Sequence, residues 1–248
     1  MAMIDLNGVS IIFPVYNVSA RSFKKDFLRM ATGGSVVEDA KHRVVVHALQ
    51  NISLSLRDGD RVGLIGHNGA GKSTLLRLLA RIYEPALGYA KIEGRVSPML
   101  DITHSMEDEF TGRENIAVRG AIFGLTHQEI QEKIAEIADF SGLGDYLSMP
   151  MRTYSSGMFV RLAFAIASCI EPDILLIDEV FGAGDADFME KARKKMVTLL
   201  NQSNIVVMAN HADDVIRQFC NKAVYLEGGQ VKYFGDVNTA FELYKEEL

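Results

Sequence analysis

Residues 61–79 read RVGLIGHNGAGKSTLLRLL, and this stretch decides the fold. The short apolar run at 62–65 has the character of a buried strand. The chain then turns through Gly66, Gly69 and Gly71. From Lys72 onward, Leu75, Leu76, Leu78 and Leu79 recur at helical spacing. Strand, glycine loop, helix is the setting that a phosphate-binding loop requires. The glycines let backbone N–H groups surround phosphate oxygens. The following helix points its positive end at the same oxygens. In this setting Lys72 reaches the β- and γ-phosphates of a nucleotide, and the Ser73 hydroxyl ligates Mg²⁺. The pattern G-x-x-x-x-G-K-[ST] arises by chance roughly once in a hundred chains of this length. The flanking strand and helix make an ordinary glycine-rich turn the weaker alternative.

Three further stretches carry chemistry of the same kind. Residues 174–177 form a continuous apolar strand closed by Asp178 and Glu179. Two adjacent carboxylates at the end of a buried strand are costly without a cation nearby. Beside a phosphate loop, the first acid supports Mg²⁺ and the second is placed to polarise an attacking water. Residues 205–209 are a second buried strand, followed by Asn210 and His211; on the expected phosphate face His211 would touch the γ-phosphate, with a structural histidine as the alternative. Residues 154–158 read YSSGM and feed a helical run to 170, a second potential anion site because the helix start presents N–H groups and hydroxyls. Phe13 or Tyr16 is available to stack on an adenine ring, with core packing as the alternative.

Composition bounds the rest. At 248 residues the chain makes one large domain, or two lobes sharing a core. A formal net charge of −6 gives no general nucleic-acid signal. Cys169 and Cys220 read as small core residues, and the histidines show no zinc-type pairing. A membrane span needs about 20 largely apolar residues, and the run at 162–170 is about half that. Asp5 and Asn7 interrupt any early apolar run, so no signal peptide is expected and the chain reads as cytoplasmic.

In order, 2–13 is expected as an edge strand ending at Pro14. Residues 17–43 are an insert in which Ser19 caps a basic amphipathic helix, a solvated arm or a surface for lipid or a partner. Residues 44–56 read as strands, 90–96 as another strand, 97–114 as irregular and acidic, and 115–170 as mainly helical. A capping box at Thr126 and Glu129 opens one of those helices, and Gly142 and Gly144 end it. Residues 182–185 (GAGD) form a turn, 187–201 an amphipathic helix, and 223–235 a hairpin about Gly228 and Gly229. A charged helix closes the chain.

The order of these parts resembles the ATP-binding cassette (ABC) ATPases over nearly the whole sequence. The matching motifs are GHNGAGKST (66–74, Walker A), YSSGM (154–158, signature), ILLIDE (174–179, Walker B), GAGD (182–185) and His211. YSSGM, TGREN (111–115), FPVYN (13–17) with its basic insert, and FGAGDADF (181–188) look more narrowly like nucleotide-binding subunits of polysaccharide exporters of the O-antigen, capsule or teichoic acid type. The resemblance implies an α/β fold: a P-loop ABC-ATPase core with an antiparallel β edge and a helical subdomain inserted at about 97–170, all within one domain spanning 1–248.

It also implies roles. Gly66, Asn68, Gly69, Gly71, Lys72, Ser73 and Thr74 fall on positions that bind phosphate and Mg²⁺. Asp178 falls on the Mg²⁺-supporting acid, Glu179 on the catalytic base and His211 on the switch histidine. Ser155 and Gly157 fall on signature positions that contact ATP held by a second subunit, and Phe13 on the adenine-stacking aromatic. Two departures stand out. Tyr154, Ser156 and Met158 replace three members of the usual LSGGQ signature. No glutamine occurs between Walker A and Gln128, which leaves Asp101 as the candidate substitute in the loop after residue 96. The implied function is hydrolysis of ATP, with Mg²⁺, by a homodimer bound to a polytopic membrane permease at the cytoplasmic face of the inner membrane. No nucleic-acid partner and no transmembrane segment of its own are expected. The alternatives are a soluble cassette ATPase acting on nucleic acid or ribosomes, which usually carries coiled-coil insertions or paired cassettes, and a P-loop kinase, which leaves YSSGM and His211 unexplained.

Overall fold

The alternation Ile4, Leu6, then Val9, Ile11 writes a strand whose buried face slips by one residue halfway along. The computed structural model, which describes residues 1–14, 35–38, 44–100, 106–178, 185–210 and 212–246, shows the reason. β1 (Met3–Pro14) pairs antiparallel with β3 (Val44–Arg57), and the register shifts between Leu6 and Val9. Gly8 sits there at φ 59, the left-handed conformation that a bulge uses to take up an extra residue.

The strands form two sheets. The first is antiparallel, in the order β2 (Ser35–Glu38), β3, β1, β5 (Leu87–Glu93). β1 is therefore an inner strand, not the expected edge strand. Both of its rows of backbone N–H and C=O groups are used, by β3 on one side and β5 on the other, and Pro14 stands at its last paired position. The second sheet centres on β4 (Arg61–Ile65), parallel to β8 (Ile205–Ala209) and β9 (Lys222–Glu227). β10 (Gln230–Asp236) closes it as a hairpin with β9. All five residues of β8 and four of the five in β4 are buried, as expected for parallel strands covered on both faces.

The chain divides into two compact units. The first comprises Met1–Gly94, Leu176–Glu179 and Asn204–Leu248; the second Arg95–Leu175 and Val180–Ser203. The first unit holds the antiparallel sheet and, from the second sheet, β4, β8, β9, β10 and the end of β7 (Ile174–Asp178), with α1 (Lys72–Leu79) and two helices near the C-terminus. One of these, Asp213–Phe219, packs so closely on β4 that a Cβ on Gly63 would lie 2.2 Å from Ile216 Cγ2. The other is Val237–Glu246.

The second unit contains β6 (Val96–Met99), α2 (Gly112–Ile122), α3 (His127–Ser141), α4 (Ser156–Ser168) and α5 (Ala186–Gln202). In chain order, Asp213–Phe219 is then α6 and Val237–Glu246 is α7. The second unit's core gathers Ile116, Ile130, Ile137, Leu147, Leu162 and Ile166. Phe140, Phe164 and Phe188 meet with ring centroids 5.7 to 6.0 Å apart and bind α3, α4 and α5 together. Lys191 lies over the Phe140 ring and donates to the carbonyls of Asp139 and Phe140 in the last turn of α3.

The single strand expected at 90–96 is two. β5 ends at Glu93, Gly94 turns at φ 118, and β6 starts at Val96. The expected box at Thr126 and Glu129 caps α3, and Gly142 ends that helix at φ 65. Cys169 and Cys220 are buried, and burial pushes their thiols up to about 11 and about 12. The capped helix expected from Ser19 lies outside the described residues.

Candidate functional site

The phosphate loop is built by glycines in conformations that favour glycine. Gly66, Gly69 and Gly71 have φ of 142, 81 and 110, a region that other residues rarely enter. A Cβ on Gly66 would also lie 2.2 Å from the Leu226 carbonyl oxygen. The loop closes on Lys72, whose Nζ donates to Gly66 O at 2.6 Å and to His67 O at 3.0 Å. His67, Asn68 and Gly69 form the exposed rim, while Ser73 and Thr74 lie half-buried in the first turn of α1. That turn carries no acidic side chain and no side-chain cap, so its N–H groups keep their partial positive charge.

A brace beneath the loop was not legible as such. Gly228 and Gly229, with φ of 53 and 78, make the two-residue hairpin turn. Gly229 N donates to Ala70 O at 3.0 Å, tying the turn to the phosphate loop. Gln50 on β3 holds the other side: its N donates to Gly229 O at 2.8 Å and its Nε2 to Gly228 O at 2.9 Å. A Cβ on Gly229 would stand 2.6 Å from Ala48 O. In the sequence this pair signalled a turn, and only the doubling of glycine hinted at a close approach.

Asp178 ends β7 half-buried in the same unit as Ser73. A hydroxyl and a carboxylate suit Mg²⁺, which prefers oxygen ligands and takes one or two from protein with the rest from phosphates and water. Among the described residues no cluster of three or more His, Cys, Asp or Glu is placed to hold a metal ion. Glu179 and His211 lie outside the described residues, as do Tyr16 and Asp101. Phe13, 37% exposed near the end of β1, meets Tyr83 edge to face with centroids 5.2 Å apart.

In the second unit, Ser155 caps α4: its Oγ accepts from Met158 N at 3.3 Å. Ser155 and Ser156 are exposed, and Gly157 is half-exposed. Tyr154, the first departure from the usual signature, is an anchor. Its hydroxyl donates to Tyr146 O at 2.6 Å, and burial raises its pKa. A Cβ on Gly112 would lie 2.5 Å from that hydroxyl, so TGREN supplies its glycine to make room for Tyr154.

The other TGREN residues extend the anchor. Thr111 and Glu114 form a capping box on α2. Asn115, 1% exposed, donates through Nδ2 to Glu107 O and Thr111 O and accepts through Oδ1 from Glu107 N at 2.9 Å. The segment so fixed receives Met151 N at Phe110 O and Arg152 N at Asp108 O, both 2.9 Å. The backbone leading to Ser155 is thus pinned three residues upstream.

A glycine loop closed on a lysine, at the junction of a central parallel strand and a helix, with an acid ending another strand of the sheet, defines a P-loop nucleoside triphosphatase. The sequence profile of the ABC transporter family matches residues 49–182. The chain belongs to that family, as an ATP-binding, ATP-hydrolysing subunit. It is 44% identical over 231 residues to the O-antigen export system ATP-binding protein RfbE of Yersinia enterocolitica, covering 93% of this chain and 97% of that protein. It is 40% identical over 202 residues to the teichoic acids export ATP-binding protein TagH of Bacillus anthracis, covering 82% of this chain and 37% of the longer relative. Among solved structures, the ATP-binding subunit of an ABC transporter superposes with a TM-score of 0.68 at 19% identity, covering 98% of this chain and 93% of that one. A dimeric post-hydrolysis cassette bound to ADP and Pi gives 0.67 at 20% identity, covering 94% and 98%. These likenesses establish the fold.

Proposed function

We propose that this chain powers export of a lipid-linked polysaccharide such as O-antigen, as a homodimer docked on a polytopic permease at the cytoplasmic face of the inner membrane. One observation carries the energetic part: the loop at 66–71 closed around Lys72 Nζ at an uncapped helix start. The cargo is supported by the relatives named for O-antigen and teichoic acid export. Those names give no support to a cassette acting on nucleic acid or ribosomes. Among the described residues no helix is long and apolar enough to cross a membrane.

The loop N–H groups and Lys72 bind the β- and γ-phosphates, and Asn68, Gly69 and Thr74 line the same cradle. Ser73 and Asp178 hold Mg²⁺, which when bound offsets phosphate charge and orients the triphosphate. Phe13 stacks the adenine. Glu179 accepts a proton from the attacking water, and His211 holds the γ-phosphate in the closed state. Ser155 and Gly157 of the second copy cover that phosphate. The driving term is charge: one pair of unit charges at 4 Å is worth about 4 kcal/mol near a surface. Hydrolysis divides one shared anionic centre into two separate anions, and the dimer reopens. Opening and closing then move the permease.

Glu179→Gln tests the reading. The variant is expected to run as a stable dimer in ATP and Mg²⁺ on size-exclusion chromatography, with turnover lowered by about a hundredfold or more. Unchanged turnover would remove Glu179 from this role.

A further inference from the structure

Phe13 is held by a partner ring, and the partner is delivered by unusual backbone. α1 ends at Leu79, and the chain reverses at once: Arg81 N donates to Leu78 O and Ile82 N to Arg77 O, both at 2.9 Å. The reversal puts Arg81 at φ 60, a conformation that a helix end normally assigns to glycine. Arg81 is held there by its own side chain, since Nη2 donates to Ile92 O on β5 at 2.6 Å. Two residues further on, the Tyr83 ring meets Phe13 at an interplanar angle of 73°. Phe13 itself is fixed in backbone register opposite Val46 on β3. In an edge-to-face pair Tyr83 covers at most one face of Phe13, and the residue remains 37% exposed. α1 therefore starts on the phosphate loop and, about 12 Å along its axis, hands the chain to the ring that backs Phe13.

We propose that Tyr83 is a positioning residue for the nucleobase: it holds Phe13 upright so that a free face of Phe13 stacks adenine, and Arg81 holds Tyr83 in place. The inference rests on the reading of Phe13 given above. The contact uses the ring of Tyr83 and not its hydroxyl. A plain packing role would make Tyr83 matter equally for every ligand of the phosphate loop; a positioning role makes it matter only when a base is present.

Binding of MgATP and of Mg-tripolyphosphate to the full chain separates these, measured by calorimetry on wild type, Phe13→Ala, Tyr83→Ala, Tyr83→Leu, Tyr83→Phe and the Phe13→Ala/Tyr83→Ala pair. Tyr83→Ala and Tyr83→Leu are expected to weaken MgATP about three- to tenfold, the span of an aromatic pair, and to leave tripolyphosphate unchanged. Tyr83→Phe retains wild-type affinity for both ligands. The double variant binds MgATP no more weakly than Phe13→Ala alone. Tyr83→Leu keeps bulk at the site, so it reports even where Tyr83→Ala fails to fold. If Phe13→Ala binds MgATP like wild type, the adenine platform itself is refuted. If Phe13→Ala weakens MgATP but the Tyr83 variants do not, or if they weaken tripolyphosphate to the same extent, the platform stands and the positioning role is overturned.

Discussion

Glycines in this chain are of two kinds, and the difference separates what the fold needs from what a ligand needs. Gly66 and Gly229 are required by the chain itself: each has positive φ, and a Cβ on either would meet a backbone carbonyl oxygen, at 2.2 and 2.6 Å. Gly157 is not required in this way. It lacks the left-handed φ, and the nearest described atom to a Cβ there is Ser155 Oγ at 4.0 Å. The open space there is what the proposed approach of a second copy's nucleotide requires. For Gly229→Ala the expected result is a folded protein whose brace has shifted and whose ATP affinity is lower by about tenfold, given 1–3 kcal/mol for a non-glycine residue forced into such a position. Titration of nucleotide alongside circular dichroism checks this; wild-type affinity with wild-type helix content would show that the hairpin does not hold the loop. The phosphate loop was legible in sequence because its requirements are local: glycines, lysine and serine lie within nine residues. Gln50, far from the loop in sequence, was not, since its role is made by a long-range contact to Gly228 and Gly229.

Among elements, the two capping boxes illustrate how the same grammar was read once and missed once. Thr126 with Glu129 stood before a clear helical period. Thr111 with Glu114 stood inside a stretch that looked irregular, because its residues fold a tight turn around Asn115 before α2 begins. β1 was misplaced for a related reason. Alternation and a terminal proline suit an edge, but neighbours on both sides come from distant parts of the chain.

Both boxes are also pH-sensitive. Backbone N–H and hydroxyl donors from Thr111 and Thr126 hold the Glu114 and Glu129 carboxyls below their ordinary value of 4.5. A carboxyl with a depressed folded pKa contributes stability that is present above its unfolded pKa and lost as pH falls through its folded pKa. The thermal midpoint is therefore expected to decline as pH drops below about 4.5. The Glu114→Gln/Glu129→Gln variant should show a shallower decline over the same interval, because an amide still accepts the N–H but does not titrate. Parallel slopes for the two proteins would place the acid sensitivity elsewhere.

At the scale of the whole molecule, the groups proposed to bind nucleotide and the groups proposed to cover it belong to different compact units: Lys72, Ser73 and Asp178 to the first, Ser155 and Gly157 to the second. In the sequence, helical periodicity replaces strand patterning after residue 115, but nothing there marked Val180–Ser203 as part of the second unit, because those residues join it only through long-range packing. If the covering groups act on a second copy's nucleotide, two different defects must complement each other. Lys72→Ala removes the phosphate cation; Gly157→Asp sets a carboxylate where the second copy's γ-phosphate belongs, at a position with room for it. Each variant alone makes dimers with two broken sites, and each is expected to lose nearly all turnover. In a mixed dimer, the Gly157→Asp chain keeps its phosphate loop and meets the intact signature of the Lys72→Ala chain, which restores one site, while the other site carries both defects. With random pairing half of the dimers are mixed, so an equimolar mixture should regain about a quarter of wild-type turnover if the two sites fire independently. The recovery should rise with total protein concentration as dimers re-form. A mixture that stays at the sum of its inactive parts, under conditions where exchange of subunits is verified by crosslinking, would mean that each chain completes its own site and that the signature serves no partner.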